Sequence, residues 1–261
     1  FKWDCNSPIT NIYSPYLKDQ QSHLYIEHVR GFYNVLERVK AKYPNLPMML
    51  CSGGGGRTDY EALKYFTEFW PSDNTDPVER IFIQWGYSHF FPSKTMAAHV
   101  TSWNKSASIK FRTDVAMMGK LGFDIRTHEM TPAEQEYCRG AVKNFNRLSG
   151  ALMDGDLYRL VSPYDGNHSA VMYVNETTDK AVLFAFDVHP RYGEILQPVR
   201  LQGLNPETQY EVKEINLVPG TESILRCNGK TFSGELLMKV GIPMFSGKQL
   251  TSRVIEISKV K

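Results

Sequence analysis

The sequence is poor in cysteine and has no paired-cysteine motif. Its 261 residues include only four cysteines, which are widely scattered and form no CxxC pair. Neither a zinc ribbon nor a dense disulfide framework is therefore predicted, and reduced thiols are expected. The four positions are Cys5, Cys51, Cys138 and Cys227.

Long apolar runs and an excess of charge of one sign are also missing. No apolar run approaches the roughly twenty residues that cross a bilayer, so we expect no membrane association. We expect a soluble protein, and the sequence leaves its compartment, cytoplasm or periplasm, open. Thirty Lys and Arg against 28 Asp and Glu leave a net charge of +2, which gives no electrostatic case for nucleic acid as a partner. The seven histidines show no HxxxH-type spacing, so we expect neither a metal nor another cofactor.

The first half of the sequence alternates between helical and strand-like patterns. Phe1 to Asn6 alternates like the end of a buried strand, and we expect the chain to begin inside that strand. A helix at 22–43 follows, which Pro44 and Pro47 end. The further predicted helices are 59–66, 77–90, 108–118 and 132–148, and the strands are 48–51, 68–70, 96–100 and 122–125. Such alternation is typical of parallel βα units.

The second half is dominated by short alternating strands separated by turn signals. The predicted strands are 157–161, 170–175, 180–188, 210–215 and 253–260. This pattern predicts an antiparallel β-sandwich. We place the boundary between 153 and 154, beside Asp154-Gly155, which gives a first domain of 1–153 and a second of 154–261.

Polar residues cluster where three of the predicted parallel strands end. The clusters are KWDCN at 2–6, CSGGGGR at 51–57 and WPSDNTD at 70–76. In a barrel the loops after such strand ends gather the active site. Asp4 and Asp73 thus lie at the ends of two strands that have one strand between them, and could face each other across a sugar ring. Either aspartate alone would more often be a helix cap or a surface turn.

A pair of carboxylates is what glycoside cleavage needs. One donates a proton to the leaving oxygen while the other meets an oxocarbenium-like centre, and about 5 to 5.5 Å between them gives retention of configuration. Lys2 alternates with Asp4, so its ammonium would point the same way and would favour the ionised carboxylate. The glycines at 53–56 allow close approach of backbone to a ligand but lack the spacing of a phosphate-binding P-loop.

Taken together, these segments resemble the α-galactosidases of glycoside hydrolase family 36. The family carries a KWD(x)N strand end, a CSGGGGR(x)D loop and a W(x)SDNTD segment in this order, and all three stand here. The resemblance covers 1–150 in detail and implies the C-terminal part of a TIM (β/α)8 barrel, strands four to eight, followed by the antiparallel β-sandwich. It also implies α-galactoside oligosaccharides as substrates and allows for a homo-oligomer.

The resemblance implies roles for individual residues. Asp4 would be the nucleophile that forms a galactosyl-enzyme, and Asp73 the general acid and then the general base. Lys2, Asn6 and Cys51 would line the galactose subsite. Arg57 matches the motif too, and we expect it to hold the glycine loop.

The resemblance also implies that segments which the family places before the KWD strand are absent here. These include the first three barrel strands and an aspartate pair and a tryptophan that hold galactose. We therefore expect a polypeptide limited to these 261 residues to hydrolyse nothing by itself. Small departures are Thr58, where Phe is usual, and Trp85, where Tyr is common.

Two other functions stay open on the sequence. A galactosyltransferase of the raffinose family would share both carboxylates but deliver galactose to a sugar. A non-catalytic sugar-binding module could retain a barrel remnant and a sandwich, although binding alone does not require Asp4 opposite Asp73.

Overall fold

The computed structural model describes residues 1–6, 10–175, 177 and 179–260. The chain divides into two compact units, Phe1–Asp73 and Asn74–Lys261. Each is described below by itself. The domain boundary that the sequence predicts, between 153 and 154, is a different division of the chain and stays a prediction.

The first unit is built on a small parallel sheet. Its strands β1 (Lys2–Asp4), β2 (Met49–Cys51) and β3 (Glu68–Phe69) lie in the order β1-β2-β3. Asp4 is in register with Cys51, and Leu50 with Phe69. Because parallel strands run in one direction, their carboxyl ends meet at one edge of the sheet, as the sequence predicts.

One long helix, α1 (Leu24–Lys42), joins β1 to β2. It agrees with the predicted 22–43, although only Leu36 of its 19 residues is fully buried. Apolar side chains remain exposed along it, namely Tyr25, Ile26, Val29 and Val35. The helix predicted at 59–66 is only a 3-10 turn, Glu61–Lys64. Asp59 Oδ1 accepts a hydrogen bond from the Ala62 amide of this turn.

The second unit begins with two βα repeats. They contain α2 (Pro77–Tyr87), β4 (Ala97–Thr101), α3 (Ile109–Ala116) and β5 (Lys120–Asp124), and β4 pairs in parallel with β5. A long helix, α4 (Pro132–Asp154), follows and starts with the predicted capping box between Thr131 and Glu134. It extends beyond the predicted end at 148 because Ala151 and Leu152 continue its buried face.

An antiparallel sheet of six strands forms the rest of the second unit. Its strands are β6 (Asp156–Val161), β7 (His168–Asn175), β8 (Lys180–Asp187), β9 (Gln209–Ile215), β10 (Lys230–Ser233) and β11 (Thr251–Lys259). They pair in the order β10-β9-β11-β8-β7-β6.

The sequence predicts an antiparallel β-sandwich, with two packed sheets, in this region. The structure corrects this prediction. In the described part of the second half, the six strands pair continuously into one sheet, so no second sheet is left to face it. The role of the second layer falls to irregular segments and to a short helix, α5 (Gly234–Lys239), capped by Ser233. Neither α5 nor β10 was predicted.

The six-stranded sheet is buried on both faces. Along β8, Val182, Phe184 and Phe186 point to a core shared with α3 and α4, whereas Leu183 and Ala185 point to a second core shared with α5. This alternation follows from the two-residue period of a strand. The sheet is therefore the central layer of the unit.

A buried carboxylate ties the helices to this sheet. Asp114 of α3 is fully buried and accepts hydrogen bonds from Tyr137 Oη of α4, Asn216 Nδ2 after β9 and Ser252 Oγ of β11, at 3.0, 3.0 and 2.6 Å. Lys110 Nζ also lies 2.6 Å from it and balances its charge. Burying a charge is costly without such partners, and Asp114 has four.

Candidate active site

The carboxyl end of β1 presents a charged pair. Lys2 Nζ lies 3.4 Å from Asp4 Oδ2, and the two side chains keep 46% and 42% of their surface exposed. They point to the same side of the strand because they are two residues apart. The predicted nucleophile and the predicted sugar-binding lysine are thus adjacent and accessible.

Cys51 lies beside Asp4 on the next strand. The two residues are paired in the register of the parallel strands. Burial is the largest influence and raises the pKa of the thiol; the nearby Gly54 backbone lowers this pKa, and the Asp4 carboxylate raises it again. The net increase favours the protonated thiol, which is a donor and a small apolar surface rather than a nucleophile.

The glycine loop after β2 contacts both neighbouring segments. Asn6 Oδ1 accepts a short hydrogen bond from the Gly53 amide, which ties the end of β1 to the loop. Gly54 has φ of +91°, and a Cβ built on it would lie 2.6 Å from the Cα of Ser72. A side chain at Gly54 is therefore excluded both by the backbone angle and by the segment that leads to Asp73.

Arg57 holds the ends of β1 and β2 together. Its guanidinium Nη2 donates to the carbonyl of Cys51 at 2.5 Å and to that of Trp3 at 3.5 Å, and it stacks over the ring of Phe32 with 5.0 Å to the centroid. The expected structural role of Arg57 therefore agrees with its contacts. Its partners are the carbonyls at two strand ends.

Asp73 accepts a hydrogen bond from Trp70, the residue that follows β3. The indole Nε1 of Trp70 donates to Asp73 Oδ1 at 3.0 Å, and Lys2 Nζ lies over the indole ring, 5.3 Å from its centroid. Asp73 is exposed. The helix cap of α2 is Asp76, which accepts from the amides of Val78 and Glu79. The alternative interpretation of the 70–76 segment as a cap thus applies to Asp76.

All five predicted site residues lie in the first unit, around the carboxyl ends of its strands. Lys2 and Asp4 form an ion pair, Cys51 is in register with Asp4 on the neighbouring strand, and Asn6 accepts a hydrogen bond from the glycine loop that follows Cys51. Asp73 is linked to them by the contacts of Trp70. Sequence reasoning missed Trp70, because nothing in the motif indicates where its indole N–H points.

A cavity in the second unit is a weaker candidate. It has a volume of about 680 Å³ and is lined in part by Glu214, Phe245 and Arg253. Its buried carboxylate, Glu214, is already engaged by Ser223 Oγ and lies 3.7 Å from Arg253 Nε. This carboxylate has structural partners and is not poised for chemistry.

Across the described ranges, no group of three or more His, Cys, Asp or Glu side chains could hold a metal ion. No helix in the part of the chain that the structure describes is long and apolar enough to cross a membrane.

Comparison with protein families gives two adjacent matches. The family model described as Melibiase matches residues 1–155, which is more than half of the chain. The model described as the glycosyl hydrolase family 36 C-terminal domain matches residues 168–257. The two matches together follow the order that the sequence resemblance implies.

Individual relatives agree with these matches. The chain is 33% identical over 260 residues to a probable α-galactosidase C of Aspergillus terreus, a match covering 97% of this chain and 32% of that protein. The solved structure of the family 36 α-galactosidase AgaB from Geobacillus stearothermophilus matches with a TM-score of 0.89 and 30% identity, covering 99% of this chain and 35% of that one. The chain thus spans about a third of the length of these relatives.

Structures of AgaA variants from Geobacillus stearothermophilus, one in complex with raffinose and one with stachyose, also match. Each has a TM-score of 0.85 and 29% identity, and each match covers 99% of this chain and 35% of that one. Because sequence motifs, family models and solved structures agree along the whole chain, the chain belongs to glycoside hydrolase family 36.

Proposed function

We propose that this protein is a retaining α-galactosidase that releases terminal α-galactosyl residues from oligosaccharides. The observation that carries the proposal is the placement of Asp4 at the carboxyl end of β1 and of Asp73 in the segment after β3 of one parallel sheet, with Lys2 beside Asp4. Relatives named as α-galactosidases, and relatives crystallised with raffinose and stachyose, support the substrate class.

The proposed reaction has two displacements. In the first, an Asp4 oxygen attacks the anomeric carbon, the glycosidic bond breaks, and Asp73 gives its proton to the leaving oxygen. In the second, Asp73 takes a proton from water, which attacks the anomeric carbon and releases Asp4. Galactose leaves with the configuration that it had in the substrate.

The neighbouring side chains suit this reaction. Lys2 supplies a positive charge 3.4 Å from Asp4 and can donate to sugar hydroxyls. The Cys51 thiol, whose raised pKa favours the protonated form, offers the sugar a compact wall next to Asp4. Asn6 holds the glycine loop and can present its amide N–H groups to a hydroxyl.

We further propose that β1 to β5 belong to a (β/α)8 barrel. Parallel pairing in β1-β2-β3 and in β4-β5 supports this architecture, as do α1 between β1 and β2, α2 between β3 and β4, and α3 between β4 and β5. Between β2 and β3 a 3-10 turn takes the place of the helix. Within the described residues β1 pairs only with β2, so its other edge is available for a further barrel strand. The expectation that residues 1–261 alone turn over no α-galactoside stays a prediction, as does a homo-oligomer.

Replacing the proposed nucleophile in the full-length protein tests the function. Asp4→Asn should lower kcat on an aryl α-galactoside by about 10⁴-fold or more, the scale of removing a catalytic nucleophile. Asp59→Asn is a matched control in the same unit, where Asp59 binds Tyr33 and the Ala62 amide outside the proposed site. It should change kcat only a few-fold.

The stereochemistry provides a second arm of the test. Proton NMR of the first product should show α-galactose, and only later the β anomer by mutarotation. Initial β-galactose would contradict a nucleophilic Asp4. Product analysis with added sugar acceptors separates hydrolysis from galactosyl transfer.

A further inference from the structure

Trp70 is hydrogen-bonded both to β2 and to Asp73. Its backbone amide donates to the carbonyl of Leu50 at 2.9 Å, and its side chain is only 6% exposed. From this position the indole Nε1 donates to Asp73 Oδ1 at 3.0 Å. A fixed donor therefore contacts one particular oxygen of an otherwise exposed carboxyl group.

The indole makes the two oxygens of Asp73 unequal. An indole N–H is a donor only, so Oδ1 has to accept from it in either protonation state of the carboxyl group. The carbonyl oxygen of a protonated carboxyl is its stronger acceptor. Trp70 therefore favours Oδ1 as the carbonyl oxygen and Oδ2 as the oxygen that carries the proton.

Lys2 lies on the face of the same ring. Its ammonium is 5.3 Å from the ring centroid and 3.4 Å from Asp4 Oδ2. A cation over the ring draws electron density towards it and makes the N–H a better donor. Trp70 thus contacts groups on both sides of the proposed reaction centre.

We propose that Trp70 is a positioning residue for the acid/base step, an inference that rests on the proposed function. Its N–H fixes the proton of Asp73 on Oδ2, from which it passes to the leaving oxygen as the glycosidic bond breaks. In the second displacement, Oδ2 receives the proton of the attacking water. Oδ1 remains bonded to the indole throughout.

Trp70→Phe in the full-length protein removes the N–H but keeps an aromatic face for Lys2. The readout is kcat/KM, which reports the galactosylation step, measured with raffinose and with 2,4-dinitrophenyl α-galactoside. Raffinose needs a proton on its leaving oxygen, whereas dinitrophenolate leaves without one. We expect kcat/KM to fall about tenfold or more with raffinose, which is part of the 10²- to 10⁴-fold effect of general acids. With the aryl substrate, kcat/KM should fall less than about threefold.

Two variants serve as references. Trp85→Phe removes an indole from a half-buried position of α2, outside the site, and should lower both rates equally or not at all. Asp73→Asn keeps an oxygen for the Trp70 N–H but has no proton to transfer. It should discriminate between the substrates more strongly than Trp70→Phe does.

The outcomes separate the two proposals. Equal losses with both substrates for Trp70→Phe, while Asp73→Asn discriminates, overturn the role of Trp70 and leave the function intact. An Asp73→Asn variant that does not discriminate shows instead that Asp73 is not the acid. Should Trp70→Phe fail to fold, an isosteric residue with sulfur in place of the indole N–H, introduced at this position alone, gives the same test.

Discussion

The two compact units of this chain differ in the size of their sheets and in how extensively their side chains are buried. The first has a sheet of three strands of two or three residues and a long helix with a single fully buried residue. The second has a sheet of six strands with a core on each face. All five predicted site residues lie in the first unit. The predicted site residues and the extensively packed core thus lie in different parts of the chain.

The largest expected effect would weaken the well-packed unit. Phe184 is fully buried in the core between the sheet and the helices. Phe184→Ala should lower the free energy of unfolding of the second unit by about 3 to 5 kcal/mol, because it removes a large side chain and leaves a cavity. Denaturant unfolding of the full-length protein measures this.

The matched control lies on the poorly packed helix. Val29 of α1 is 44% exposed, so Val29→Ala should change the same quantity by less than about 0.5 kcal/mol. A large loss for Val29→Ala would mean that another segment covers α1, and the contrast between the units would then be wrong.

A smaller effect is expected from the glycine loop of the first unit. Gly54→Ala would place a Cβ 2.6 Å from the Cα of Ser72 and would displace the segment before Asp73. We expect kcat/KM to fall by about 10- to 100-fold, because misplacing a catalytic group by about 1 Å costs on this scale.

Gly53→Ala is the control for backbone strain. Gly53 also has a positive φ, +56°, but its Cβ would come only within 4.0 Å of Asn6 Oδ1. Gly53→Ala should cost about 1 to 2 kcal/mol of conformational free energy because of this φ, without moving the segment before Asp73. Equal kinetic losses in both variants would attribute the effect to strain alone.

The smallest effect concerns an ion pair of the second unit and depends on pH. Arg147 of α4 donates to both oxygens of Glu256 on β11, at 2.6 and 2.7 Å. Burial alone raises the pKa of Glu256, but Arg147 and Lys180 together lower it. The pair therefore stabilises the fold above the unfolded pKa of about 4.3, and this contribution is lost as the pH falls through the folded pKa.

Arg147→Met should cost about 1 to 2 kcal/mol at pH 7, a value kept low because 40% of the arginine is exposed. Thermal unfolding at pH 7 and pH 3 should show the difference from the parent shrinking at the lower pH. Arg139→Met, which removes an exposed pair with Glu136 on the same helix, should cost under about 0.5 kcal/mol. If the loss of stability caused by Arg147→Met were the same at both pH values, it would not arise from the ion pair with Glu256.

Local patterns of the sequence predicted most elements of both units. The 3.6-residue period and the prolines after it located α1, and the capping box located the start of α4. Two short elements, β10 and α5, escaped because four and six residues show too little periodicity. The order of strands in the six-stranded sheet depends on pairings distant in sequence, so a sandwich was predicted where one sheet forms.

The site shows a similar limit. Motifs and strand ends indicated Asp4 and Asp73, because parallel strands bring their carboxyl ends to one edge. The hydrogen bond from Trp70 to Asp73 depends on the rotamers of two side chains, which a single sequence does not encode visibly.

The buried carboxylate of Asp114 has a consequence for sequence variation in the second unit. Its donors come from α4, β11, the residue after β9 and its own helix. Loss of one donor leaves the buried Asp114 carboxylate, which is shielded from water, with fewer hydrogen bonds. Replacements at Tyr137, Asn216 and Ser252 are therefore constrained by one another. Homologues that replace Asp114 with a neutral residue should show compensating replacements among these donors. Positions in α3, α4, β11 and the segment after β9 should therefore covary.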